Sequence, residues 1–177
     1  MKRVYHAVLG SLLLFGCAAP KQEPPKRDAD PAIASIQDSI SKDTANWQLA
    51  LNLASELRRK SRYPEAQKAA SKAFMLEPSP ATTSKLEIAK IHAAADEPAS
   101  AINLVKEVEA KKKLGEAADE VEIAEVYAIL GDTVAVFRWL DRAVKAHSPQ
   151  VPTLDSNPDL LGVHNDPRWP ALVGKKN

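Results

Sequence analysis

The sequence predicts an all-α fold: an α-solenoid of about three stacked helix pairs with short helical caps at both ends. Three observations predict it. From Pro31 onward alanine, leucine, glutamate and lysine dominate, apolar residues recur at helical spacing, and strand signal is almost absent. Sets of small or apolar residues repeat at an offset of 35: Ala66, Ala101 and Val136; Leu53, Ile88 and Ile123; Ala54, Ala89 and Ala124; Ala70, Val105 and Leu140; Ala73, Val108 and Ala143. Turn signals such as Gly131-Asp132 fall where one helical stripe gives way to the next.

Composition sets the frame. A length of 177 residues suffices for a buried core, and 45% hydrophobic with 27% charged residues describes a globular body. The single cysteine excludes a disulfide framework and a multi-cysteine metal site. A formal charge of +1 argues against nucleic acid as a partner.

Residues 1–16 read as a signal peptide. Lys2 and Arg3 form a positive start, and Val8 to Phe15 is apolar but too short to span a bilayer. Leu14-Phe15-Gly16-Cys17 resembles the bacterial lipobox, with Phe15 bulkier than the usual occupant. That resemblance implies cleavage between Gly16 and Cys17, and a diacylglyceryl thioether with an acylated amino terminus on Cys17. Acyl chains contribute about 0.8 kcal/mol per buried methylene, so such an anchor needs no spanning helix. The alternative is an ordinary signal peptide cut after Ala18 or Ala19. Ala18 in place of aspartate resembles Gram-negative lipoproteins sorted to the outer membrane, which implies a protein facing the periplasm. Loss of Lys2 and Arg3 takes 24 basic side chains to 22 against 23 acidic ones, a mature charge of −1. The anchor is then lipid without polybasic help.

Residues 17–31 carry the cysteine and a tether rich in proline with balanced charge, which cannot bury surface. Residues 32–46 form an amino-terminal cap, in which Ile33, Ile36 and Ile40 give a short amphipathic helix.

Three repeats are expected over residues 47–149. In the first, Ala50, Leu53, Ala54 and Leu57 share one helix face, and Ala66, Ala70 and Ala73 form the answering stripe. Ala54 and Ala66 permit close approach of the two helices. In the third, Tyr127 to Asp132 ends a helix with Gly131 as a left-handed cap, and Val136, Phe137, Leu140, Ala143 and Val144 line the next. The second unit is degenerate, with His92 in the aromatic slot, Pro98 opening its second helix and Lys113 replacing a closing proline. The period and the Gly-Asp turn resemble the tetratricopeptide repeat family, although Ala50, Lys85 and Glu120 stand where its early tryptophan is expected.

Residues 150–177 form a carboxyl-terminal capping segment. Asn157-Pro158 and Asp166-Pro167 each place a capping side chain before a proline at a helix start. Leu160, Leu161, Trp169 and Leu172 are expected to fold onto the last repeat, with Trp169 as a core plug. The run resembles a tail that closes bacterial tetratricopeptide arrays, with Leu160 and Trp169 in its aromatic positions.

Catalytic, cofactor and metal sites are not expected. The sequence has no glycine-rich phosphate loop and no nucleophile elbow, and His164 near Asp166 lacks a third ligand at diagnostic spacing. His92 reads as a packed or half-buried histidine, and His147 lies near a helix carboxyl end. Asp119-Glu120 and Glu122-Glu125 read as helix-face charges, and Lys111-Lys112-Lys113 as a complement to a helix dipole or a weaker basic patch.

The family resemblance implies a concave groove lined by first helices. Mapped onto this chain, the groove holds Gln48, Leu51, Ser55, Arg58, Arg59, Leu86, Lys90, Val121 and Glu125, flanked by Thr83, Ala93, Ala94, Ala118, Ala128 and Ile129. Arg58, Arg59 and Lys90 suit an acidic or carboxy-terminal peptide, and plain surface is the alternative reading of these positions. The chaperone-tail carboxylate-clamp pattern is absent. The expected function is a lipid-anchored envelope scaffold or assembly factor that is not an enzyme and binds an unidentified protein or peptide. A structural subunit that does not use the groove is the main alternative, and a cell-wall enzyme with a helical body a lesser one.

Overall fold

The computed structural model describes residues 28–174, so Gly16, Cys17 and the signal and tether expected before Asp28 lie outside the described residues. The described residues form eight α-helices and two 3₁₀ segments, with no strand among them. The helices are α1 (Pro31–Lys42), α2 (Trp47–Arg59), α3 (Tyr63–Leu76), α4 (Thr82–Ala94), α5 (Pro98–Lys113), α6 (Glu120–Ile129), α7 (Thr133–Lys145) and α8 (Arg168–Val173). The 3₁₀ segments, Val151–Ser156 and Pro158–Val163, lie between α7 and α8.

Packing follows the sequence order. Helices α2 and α3, α4 and α5, and α6 and α7 form three pairs. The first helices then stack on one another, α2 on α4 and α4 on α6. Alanine makes the first pair tight, since Ala54 and Ala66 are both fully buried. The central helix α4 divides its apolar side chains between two clusters. Ile88 and Ile91 join α1, α2 and α3, whereas Leu86 and Ala89 join α5, α6, α7 and the tail. A helix covered on both sides needs apolar residues around most of its circumference, which α4 and α6 have.

The 35-residue recurrence extends to the backbone. The first helix of each pair ends on a left-handed residue: Ser61 (φ +58°), Asp96 (φ +61°) and Gly131 (φ +78°). Each is followed by the same six-to-one hydrogen bond, from Arg62 N to Leu57 O (2.9 Å), Glu97 N to His92 O (2.9 Å) and Asp132 N to Tyr127 O (3.0 Å). These are Schellman caps at equivalent positions. Only the third uses glycine, the residue that adopts this conformation without a Cβ penalty.

Both ends are covered. Asp30 caps α1 by accepting from Ala32 N and Ile33 N, and Ile33 is fully buried while Ile36 and Ile40 are half-buried. Asp30 also pairs with Lys60 at 2.9 Å, and Asp28 with Arg62 at 2.7 Å, which ties the entry of the chain to the α2–α3 turn. At the other end Leu160, Trp169 and Leu172 are buried as expected, with Trp169 edge-on to Phe137 at 6.5 Å and donating to Asp155 at 3.2 Å.

Three sequence expectations need correction here. Leu161 is 57% exposed, because its segment is 3₁₀ rather than α. With three residues per turn, Leu160 and Val163 share the inward side and Leu161 points away. The last helix begins at Arg168, not at Pro167, with Asp166 accepting from Arg168 N at 2.9 Å. Val144 is half-buried, at the margin of the α7 stripe.

The repeated caps make a prediction for stability. No atom lies within 4 Å of a Cβ built on Gly131, so Gly131→Ala tests the backbone conformation alone. It should destabilise by about 1–2 kcal/mol. Ser61→Gly should stabilise by about 0.5–1 kcal/mol, relieving the same conformation in the first unit. Thermal unfolding should shift by about 2–4 °C per kcal/mol, in opposite directions for the two variants.

Candidate functional site

The first helices α2, α4 and α6 bring their repeat-equivalent positions side by side. Ser55, Lys90 and Glu125 occupy one column at an offset of 35, and Asn52, Glu87 and Glu122 the neighbouring one a turn earlier. Lys90 sits at the centre. Its ammonium is 2.8 Å from Glu87 Oε2 on its own helix and 2.9 Å from Glu125 Oε2 on α6. Arg58 of α2 approaches Glu87 Oε1 at 3.5 Å through Nε.

The carboxyl-terminal tail completes this network. Arg58 donates from both terminal nitrogens to Asp159, at 2.8 and 3.2 Å, a bidentate fork. Asn157 donates from Nδ2 to Glu125 Oε1 at 2.7 Å. The contacts therefore form a closed circuit: Asp159, Arg58, Glu87, Lys90, Glu125, Asn157 and back along the chain to Asp159. The Asp159 amide donates to Asn157 Oδ1 at 3.0 Å, which sets the turn joining the two ends of the circuit.

Burial gives these charges weight. The side chains of Arg58 and Asp159 are 12% and 17% exposed, and those of Lys90 and Glu125 are 11% and 8%. Burial opposes the charge on Arg58 and Lys90, but their carboxylate partners outweigh it and hold both above their ordinary range. Burial likewise pushes Glu87 up, yet Lys90 and Arg58 prevail and its carboxyl lies below the usual range. Glu122 goes the other way. Burial raises it, Lys90 opposes, and the negative charges of Glu125 and Asp119 add to the rise. Its Oε2 is buried without a hydrogen-bond partner.

The residues expected in the groove thus divide. Arg58, Lys90 and Glu125 are brought together, but in an internal circuit rather than as free ligand groups. Ser55 donates to Leu51 O at 3.1 Å and lies beside Glu87. Leu51, 8% exposed, borders a shallow surface depression, whereas Leu86 and Val121 are fully buried, which corrects the assignment of those two to an accessible groove wall. They fill the seams where neighbouring first helices pack. Gln48 and Arg59 remain exposed, Arg59 with 66% of its side chain accessible and paired with Glu56. Beside Arg59 opens a cleft of about 660 Å³, bounded also by Tyr63, Ala93, Ala94, Ile129 and Pro158. A shallower depression runs along Asn52, Ser55, Thr83 and Glu87.

Other candidate residues have structural partners. His92 Nδ1 lies 2.7 Å from Glu97, which also bonds Gln67. His147 is the left-handed residue after α7, and His164 stacks on Trp169 at 4.1 Å. Asp119 caps α6 and accepts from Ser148, while Lys112 pairs with Glu120 at 2.7 Å. Among the described residues no three His, Cys, Asp or Glu side chains converge as a metal site, and no helix is long and apolar enough to cross a membrane.

Sequence reasoning missed Asp159, Asn157 and Glu87. Glu87 was legible as an i,i+3 partner of Lys90. Asp159 lies 101 residues from Arg58, and nothing local marks that pairing.

Three outcomes follow from this geometry. A double-mutant cycle on Arg58→Ala and Asp159→Ala should return a coupling of about 1–3 kcal/mol in denaturant unfolding. Glu122 binds a proton more readily folded than unfolded, so its ionised form opposes folding at neutral pH, and that opposition fades as pH falls toward the unfolded value. Glu122→Gln should therefore raise the unfolding temperature at pH 7, and the gain should vanish near pH 4. Glu87→Gln should lower it at pH 7, with the loss shrinking as pH falls through the depressed folded value.

Compared with known proteins, the chain matches no family model, no curated protein and no solved structure.

Proposed function

We propose that the chain is a lipid-anchored cell-envelope protein of the tetratricopeptide type, a scaffold or assembly factor that holds another protein against the face formed by its first helices. The observation that carries this reading is the 35-residue recurrence, present in the apolar columns and again in the left-handed caps at Ser61, Asp96 and Gly131. A repeat of this kind builds an extended surface from equivalent positions, which suits capture of a peptide segment rather than chemistry on a small substrate. The cleft beside Arg59 and Tyr63 is an accessible part of that face. Cys17 at the end of a signal-like run supports the anchor, and Ala18 supports the periplasmic face of the outer membrane as the address. Tethering raises the local concentration of the scaffold for its partner at the membrane.

The alternative of a subunit that uses its other face has one observation in its favour. Phe74, Met75 and Leu76 at the end of α3 are 40%, 81% and 39% exposed, a short apolar patch on a second helix.

Cys17→Ser should release the protein from membranes, read by fractionation and by mass of the mature amino terminus. Retention without lipid would remove the anchor. Crosslinking in native membranes with mass spectrometry identifies the partner, and two variants then locate its contact. Arg59→Glu should abolish the crosslink while Met75→Asp leaves it intact, and the reverse result assigns the contact to the α3 patch. Arg59 is the suitable probe because reversing Arg58 or Lys90 would also break the internal circuit.

A further inference from the structure

The tail segment that closes the first-helix face has the form of a bound ligand. Leu154 and Leu160 are both fully buried and anchor it on either side. Between them, Asn157 and Asp159 reach the first helices through polar contacts: one amide bond to Glu125 and the bidentate fork on Arg58. Asp155 and Ser156, just before them, are exposed. Pro158 and Asp159 also line the open cleft, so the fork sits at its edge and can be approached from solvent. An Arg fork of this geometry reads a carboxylate and carries no preference for the chain that supplies it.

We propose that Asn157-Pro158-Asp159 is a resident ligand in cis, and that the partner is an acidic, extended segment that enters the cleft and replaces the Asp159 carboxylate on Arg58. This rests on the reading of the first-helix face as the binding surface. Displacement exchanges one carboxylate for another on Arg58, so the Glu87–Lys90–Glu125 part of the circuit keeps its charge balance. Leu154 and Leu160 stay in the core as pivots, Asp155 keeps its bond to Trp169, and residues 156–159 lift, opening the Asn157–Glu125 bond. The same link gives the surface a threshold: a competing segment must exceed the effective concentration of the tethered Asp159, of millimolar order for a short connection.

The test uses the full mature chain and a fluorescent peptide copying residues 155–165. Asp159→Asn is nearly isosteric and weakens the cis link. Fluorescence anisotropy should show the peptide binding this variant about tenfold or more tighter than the wild type, the equivalent of about 1.4 kcal/mol. Adding Arg58→Gln should remove the gain, and a peptide with Asn in place of Asp159 should fail to bind. Hydrogen exchange at the Asp159 and Leu160 amides should accelerate in Asp159→Asn while the α4 amides are unchanged. Equal peptide binding by wild type and variant, binding indifferent to Arg58→Gln, or exchange of the tail only together with the core would overturn the inference. Loss of helical circular dichroism in Asp159→Asn would overturn it as well, since the segment would then be a fixed structural cap. Partner crosslinking sensitive to Arg59→Glu tests the underlying binding surface without touching Asp159, so the two failures are distinguishable.

Discussion

Every helix pair in this chain has an apolar face that the pair cannot cover by itself. The first pair shows the constraint most plainly. Ala66, Ala69, Ala70 and Ala73 pack α3 closely onto α2, but small side chains bury little area each. Ile88 and Ile91 of α4 supply the remaining cover, so the first pair is completed by the second. Helix α4 in turn presents Leu86 and Ala89 to the third pair. Its apolar residues serve two neighbours, which is why no single amphipathic stripe describes it.

Stacking leaves an uncovered face at each end, and the two ends are closed differently. At the start, one helix with Ile33 buried in its first turn suffices, held by Asp28 and Asp30 against Arg62 and Lys60. At the finish, the cover is a tail of short turns. Its apolar residues, Leu154, Leu160, Val163, Trp169 and Leu172, fill the third pair. A tail of this length also crosses the first helices, where it meets Arg58 and Glu125. The charge circuit follows from that crossing. Removing one member leaves an uncompensated buried charge, whereas the intact circuit contributes modestly to stability and strongly to register. Bidentate geometry at Arg58 fixes where the tail lies far more narrowly than apolar contact does.

This division explains what was legible in the sequence. Helix positions, the pairing of helices and the 35-residue offset could be read because they rest on local periodicity and on columns of alanine, valine and isoleucine. Gly131 announced its left-handed turn, while Ser61 and Asp96 adopt the same conformation without glycine to mark it, and only the register of the repeat points to them. The face of the first helices was legible as a set of positions. Its accessibility was not, because Leu86 and Val121 are buried by neighbouring helices rather than by their own, and Asp159 reaches Arg58 across the whole repeat. Leu161 was misplaced for a different reason: the choice between 3₁₀ and α geometry shifts the inward side by one residue, and Pro158 permits both.

The charges on the first-helix face therefore have two descriptions that geometry reconciles. As isolated positions, Arg58 and Lys90 look like a basic surface awaiting an acidic segment. In the fold, each is already matched, and the carboxylates of Glu87, Glu125 and Asp159 outnumber the two cations. A further acidic group cannot simply add to such a site without repulsion, but it can substitute for one already there. Substitution is possible only where the resident carboxylate can leave without exposing apolar surface. Glu87 and Glu125 are fixed on packed helices, whereas Asp159 stands on a short turn at the edge of the cleft. The exchangeable position is thus set by which element carries each carboxylate, not by the strength of any one ion pair.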